Sequence, residues 1–189
     1  MEYYQSHFLI LQELKRSYLL IHPLERRVKM IITKASIEEF EEVYGVIEIG
    51  RKHIATFNID QWQDGDPSKD AIKESIIKNE LHVLKDGDEI VGCFVKQEYD
   101  PQYDYIEGKW LDDSKYVVIH RMAVKYYDRG LGTYIFNELK KEYDHIRIDT
   151  HEGNKAMNHC LVKNGFTLCG TIYLKNGHSR NAYEYSRKR

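Results

Sequence analysis

Apolar positions in this chain fall into helical and strand rhythms that alternate along its length. Ile37, Phe40, Tyr44 and Ile47 recur at three- and four-residue steps, the spacing that lines one face of a helix. Ser36 and Glu39 occupy the two positions of a capping box ahead of them. The spacing predicts a helix to about residue 54, with Gly50 weak enough to divide it. Residues 61–67 form a loop in which Pro67 is set to open a second helix, with Ile72, Ile76 and Ile77 on its buried face. Strands are predicted over residues 28–33, 81–84 and 90–95, the last two around Asp86-Gly87-Asp88. Residues 99–116 are turn-like and aromatic. Residues 117–124 form a central apolar strand, followed by a helix over 133–143 and a strand over 146–150. A helix over 154–163 ends at Gly165, and strands 167–174 and 182–185 are joined by Asn176-Gly177. This order predicts an α+β (mixed α/β) domain around one sheet.

Composition changes this picture in a few places. A chain of 189 residues and 22.5 kDa accommodates one ordinary domain. Residues 1–29 stand apart, because charges at Glu13, Lys15 and Arg16 interrupt their apolar runs and His22-Pro23 ends them. They are expected to be an N-terminal extension, helical or poorly ordered, ahead of a domain over 30–189. An extension of this kind packs on the domain or on a second copy, so a homodimer stays open. A secretory signal would carry positive charge ahead of its apolar run, where this chain has Glu2. No apolar run approaches the ~18 residues of a membrane span. A formal charge of -2 argues against nucleic acid as the main partner. Cys93, Cys160 and Cys169 form no C-x-x-C pair. Cys93 and Cys160 sit in apolar runs and read as core residues in a reducing cytoplasm. The nine histidines show no metal-ligand spacing, and no metal is expected.

Candidate chemistry centres on residues 117–143. An apolar strand there runs into a turn carrying Gly130 and Gly132, and the turn opens a helix. Glycine lets a ligand approach the main chain, and the first N–H groups of a helix lack intrahelical partners, so this element can cradle an anion. A purely structural turn is the plain alternative. A P-loop would need Gly-Lys before Ser or Thr, and Gly132 is followed by Thr133 and Tyr134. A dinucleotide fingerprint would need a third glycine, where this chain has Ile135.

The stretch Tyr127-Asp128-Arg129-Gly130-Leu131-Gly132 resembles the Q/R-x-x-G-x-G/A signature of the GNAT N-acetyltransferase superfamily, departing from it at Tyr127. His120-Arg121-Met122-Ala123-Val124 is similar to the family's pantetheine-binding strand. Asn154-x-x-Met157 and Asn164-Gly165-Phe166 are similar to its landmarks around the following helix. Residues 61–63 and 103–110 look like a bacterial subgroup. The likeness covers about residues 30–185. It implies a splayed mixed sheet flanked by helices on both faces, with acetyl-CoA in the splay as co-substrate. It also implies acetyl transfer to a primary amine of a small molecule or peptide. The resemblance places acetyl-CoA against Met122, Ala123, Val124, Arg129, Gly130, Leu131, Gly132, Thr133 and Asn154.

An amine must lose its proton to attack a thioester, so a base or a desolvating site is required. His120 is the first candidate, because alternation puts it on one face with Val118 and Met122 provided no bulge intervenes. His151 and Glu152 end the next strand and could relay through water. The position at which many family members carry an acidic tyrosine is Leu161. Tyr134, Tyr173 or water is left to protonate the thiolate, and Tyr173 is retained as a catalytic candidate. Trp62, Tyr103, Tyr105 and Trp110 are candidates to line an acceptor pocket. The missing tyrosine leaves an alternative, a CoA-binding sensor without turnover.

Overall fold

The computed structural model describes residues 30–187, so the extension over residues 1–29 lies outside the described residues. The sheet begins with β1 (Ile31–Lys34), antiparallel to β2 (Leu81–Asp86). β2 turns through Gly87, at φ 65°, into β3 (Glu89–Gln97). β3 pairs antiparallel with β5 (Val117–Val124), which runs parallel to β6 (His145–Thr150). β8 (Ser179–Ser186) pairs with β6, β7 (Thr167–Tyr173) pairs with β8, and the short β4 (Glu107–Gly108) closes the far edge. The strand order is β1-β2-β3-β5-β6-β8-β7-β4. Residues 99–116, expected as turns alone, supply β4 and a 3-10 turn over Pro101–Tyr103.

The parallel pair β5–β6 holds the key to the site. Its register covers only Val117–Ile119 against Ile146–Ile148. Beyond Ile119 and Ile148 the two strands have no further paired residues, so the sheet splays at its middle.

Helices cover both faces, as expected. α1 (Phe40–Ala55) follows a 3-10 turn over Ile37–Glu39, where Glu39 accepts a hydrogen bond from the Ser36 N–H at 2.8 Å, as a capping box requires. α1 and α2 (Lys69–Ile77) bury Val43, Ile47, Ile72 and Ile76 against Val83, Cys93 and Ala123. α3 (Leu131–Glu142) and α4 (Lys155–Lys163) cover the other face. There Phe136 of α3 meets Phe166 at 4.9 Å between ring centroids, and Asn158 of α4 accepts a hydrogen bond from the Tyr183 hydroxyl.

Several local expectations are corrected. Gly50 does not divide α1. A Cβ there would meet Ala123 Cβ at 3.0 Å and Trp62 Cζ3 at 3.1 Å, so glycine lets the helix lie close on β5. Pro67 does not open α2. Ser68 does, accepting a hydrogen bond from the Ala71 N–H. Cys93 is fully buried as expected, and burial pushes its thiol up to about 12. Cys160 is only half-buried and faces a cleft rather than the core.

Candidate active site

The splay opens into a cleft of about 700 Å³. Its walls are the end of α1, the 122–133 segment and α4. Gly130 sits at φ 73° as the N-cap of α3, a conformation that suits glycine. The first main-chain hydrogen bond of α3 runs from Tyr134 N–H to Gly130 O at 2.9 Å. The N–H groups of Leu131, Gly132 and Thr133 make no hydrogen bond among the described residues, which leaves three aligned donors at the positive end of a helix.

β5 carries a bulge beside this cradle. Cys93 pairs with Ala123 and Val95 with His120, so two steps on β3 oppose three on β5. Arg121 takes up the extra residue at φ 50°. Val118 and His120 face the α1 side of the sheet. The bulge keeps Arg121 there too, its guanidinium donating to Ala71 O and Ser75 Oγ in α2. Met122 is turned to the opposite side, where its Cε approaches Gly132. The expected shared face of His120 and Met122 therefore does not hold. The Lys125 N–H donates to Val91 O, so by alternation Met122 and Val124 turn their main-chain groups away from β3, into the splay.

A second cavity, of about 320 Å³, adjoins the cleft along β5, beside residues 119–122. The two spaces share Ile54, Met122, Asn154 and Met157. Five carboxylates line the second cavity: Asp60, Asp64, Asp66, Asp100 and Asp149. His120 projects between two of them. Its Nε2 lies 2.9 Å from Asp100 Oδ2 without hydrogen-bond alignment. Its Nδ1 lies 3.7 Å from Asp149 Oδ1. Tyr103 donates to the same Asp149 oxygen at 2.6 Å, and its ring meets the imidazole edge-on. Burial pushes the Asp100 carboxyl up, but the His120 imidazole and the Gln102 N–H more than offset this and hold it below the usual carboxylate range. Burial and the Asp149 charge push the Tyr103 hydroxyl well up, so it stays a proton donor.

No protein-family model and no curated protein matches the chain. Solved structures do. A GNAT-family acetyltransferase from Streptococcus agalactiae is 32% identical, with a TM-score of 0.78, over 85% of this chain and 96% of that one.

The chain belongs to the GNAT acetyltransferase family.

Two more distant GNAT-fold structures share the fold. The PaiA N-acetyltransferase of Thermoplasma acidophilum, in complex with coenzyme A, is 16% identical with a TM-score of 0.61, over 84% of this chain and 99% of that one. AAC(6')-Ib, in complex with ribostamycin and coenzyme A, is 17% identical with a TM-score of 0.59, over 84% of this chain and 93% of that one. This GNAT protein is accordingly an acyltransferase with a mixed, splayed sheet.

Its sequence-predicted site residues separate into three groups. Met122, Ala123, Val124, Gly130, Leu131, Gly132, Thr133 and Asn154 line the larger cleft, and His120 and Trp62 line the acidic cavity. Asn154 serves as the N-cap of α4, accepting from the Met157 N–H, while its Nδ2 donates to Gln61 Oε1. The remaining candidates lie outside both spaces. Arg129 stacks on the Tyr126 ring at 4.3 Å. His151 Nδ1 accepts the Gly153 N–H, and Glu152 is exposed. Tyr173 donates to Glu107 at the far edge of the sheet, and Tyr105 is exposed. Trp110 is buried, stacked on Tyr103 and on the Arg147 guanidinium. Gly132 also needs a correction. A Cβ there would meet Cys160 Sγ at 3.2 Å and Met122 Cε at 3.4 Å, so its openness serves packing against α4 and β5. Leu161, at the family's tyrosine position, is fully buried.

Asp100 and Asp149 were not legible as site residues. Asp149 shares strand parity with Arg147, and Asp100 precedes Pro101 in a segment with no period. Only the fold joins them to His120.

Proposed function

We propose that the protein transfers the acetyl group of acetyl-CoA to a primary amine of a small molecule or peptide. The observation that carries this reading is the meeting of the two spaces at Ile54, Met122, Asn154 and Met157, beside a stretch of β5 without a strand neighbour on that side. The three unbonded N–H groups at the start of α3 suit a diphosphate. The open main chain of Met122 and Val124 suits the amides of a pantetheine arm, which bond as an added strand would. That arm directs the thioester to the junction, and the acidic cavity receives the amine.

The chemistry then follows from the chain's own groups. His120 accepts a proton from the amine, with Asp100 and Asp149 as anionic neighbours of the protonated ring. The amine nitrogen bonds to the thioester carbonyl carbon and the C–S bond breaks. With Leu161 buried, the thiolate leaves without a tyrosine acid and takes its proton from solvent. A thiol of pKa near ~8.5 makes that departure undemanding. Calorimetry with acetyl-CoA tests the donor site, and thiol release across an amine panel tests transfer. A folded protein that binds no acetyl-CoA at millimolar ligand would reject the reading.

The three free cysteines fit a reducing cytoplasm. Self-association as a homodimer, through residues 1–29, is tested by sedimentation of the full chain against a chain starting at Met30.

A further inference from the structure

Arg180 is only 7% exposed, yet among the described residues it has no ion-pair partner. Its one hydrogen bond runs from Nη1 to the carbonyl oxygen of Ser179, at 2.8 Å. The other deeply buried arginine, Arg147, shows what the fold ordinarily provides. Its Nε lies 3.3 Å from Glu184, its Nη2 donates to Asp112 O, and its guanidinium packs against Trp110 and Tyr116. A guanidinium cannot shed its charge, and Arg180 lines the cavity with most of its five N–H groups unbonded to protein, so those donors are left to solvent or to a ligand there.

Register places this charge in the acidic cavity. Arg180 and Ala182 share one face of β8, and Ala182 pairs with Asp149. Asp149 lies beside His120, and Arg180 and His120 both line the cavity. Two strand residues span ~7 Å, and Arg180 and His120 line one cavity of about 320 Å³, a space of small-molecule size. The rest of the lining is rich in carboxylate, which disfavours an acceptor with several negative charges. Arg121, the other arginine in the lining, is already engaged by Ala71, Ser75 and Asp66.

We propose that the acceptor is a small zwitterion, an amine that carries a carboxylate close by, as in a free α- or ω-amino acid. Arg180 grips the carboxylate, in the planar two-point geometry that a guanidinium offers. The amine is left toward His120 and the carboxylates around it. This rests on the acetyl-transfer reading and narrows its substrate class.

The test pairs free amino acids and ω-amino acids with their carboxamides, alongside spermidine and ribostamycin, with thiol release as the readout. The acid of an accepted pair should exceed its amide by roughly 10- to 100-fold in kcat/KM. Arg180→Met should abolish that preference mainly through KM, and Arg180→Lys should restore part of it. Equal turnover of acid and amide, or a preference for spermidine or ribostamycin over every acid, overturns the inference and leaves acetyl transfer standing. If no acceptor releases thiol, thermal shifts of the CoA-saturated protein decide. Stabilisation by an acid and not its amide, lost in Arg180→Met, upholds the carboxylate site while acetyl transfer falls. No difference overturns the site as well.

Discussion

His120 and Met122 stand two positions apart in β5 and face opposite sides of the sheet. Arg121, at φ 50°, supplies the extra residue that separates them. One side holds the acidic cavity and its imidazole, and the other meets the start of α3. The bulge thereby puts the acidic cavity and the start of α3 on opposite faces of one strand.

This separation predicts how His120→Ala divides its effects. The imidazole lines the smaller cavity and not the larger cleft. Turnover should fall by ~10²-fold to ~10⁴-fold, while the calorimetric Kd for acetyl-CoA changes by a few-fold at most. Turnover equal to that of the parent protein would remove His120 from the reaction.

The two glycines of the cradle should fail differently. Gly130 has open space around its missing Cβ but sits at φ 73°, so Gly130→Ala is penalised by backbone strain, about 1–2 kcal/mol in a melt. Gly132→Val pushes on Cys160 and Met122, both of which line the cleft. It should weaken acetyl-CoA binding by at least ~10-fold in calorimetry.

Asp100 gives a pH signature. Its folded carboxyl is held below its unfolded value, near ~3.9, by His120 and Gln102 despite burial. A depressed pKa adds stability above the unfolded value and loses it as pH falls through the folded one. The melting temperature of the parent protein should exceed that of Asp100→Asn near pH 6, and the gap should close below about pH 4. A gap that is constant from pH 6 to pH 3 would contradict this.

Cys160 offers a chemical footprint. Burial, the largest influence, pushes its thiol up, so alkylation should be slow near neutrality and faster at high pH. Because the residue lines the larger cleft, coenzyme A should slow its labelling, read by mass spectrometry. Cys93, fully buried, should label only on unfolding. Labelling of Cys160 at the same rate with saturating coenzyme A would place the cofactor elsewhere.

Local pattern reached the elements and the cradle, because helical spacing, the capping box and Gly130-Leu131-Gly132 are written in adjacent residues. It stopped at features made by distant ones. The bulge at Arg121 depends on how β3 and β5 register, and no residue in His120-Arg121-Met122 announces it. Trp110 suited a pocket by type and Tyr173 suited an acid, yet one is buried beneath Arg147 and the other is tied to Glu107 at the sheet edge. Arg180 was within reach, since Arg180, Ala182 and Glu184 alternate along one strand, but its lack of a counterion emerges only from the packed whole.

β4 meets β7 where Gly108 pairs with Gly170, so tightly that a Cβ on either would collide with the main chain of the other strand. The segment fastened there also carries Asp100 and Tyr103, which bracket the imidazole at the opposite end of its loop. A methyl group added at position 170, on the strand beside the sheet's far rim, would thus be felt at the imidazole. Loss of activity from a lesion at that rim would signal slackened anchorage rather than a second centre of chemistry.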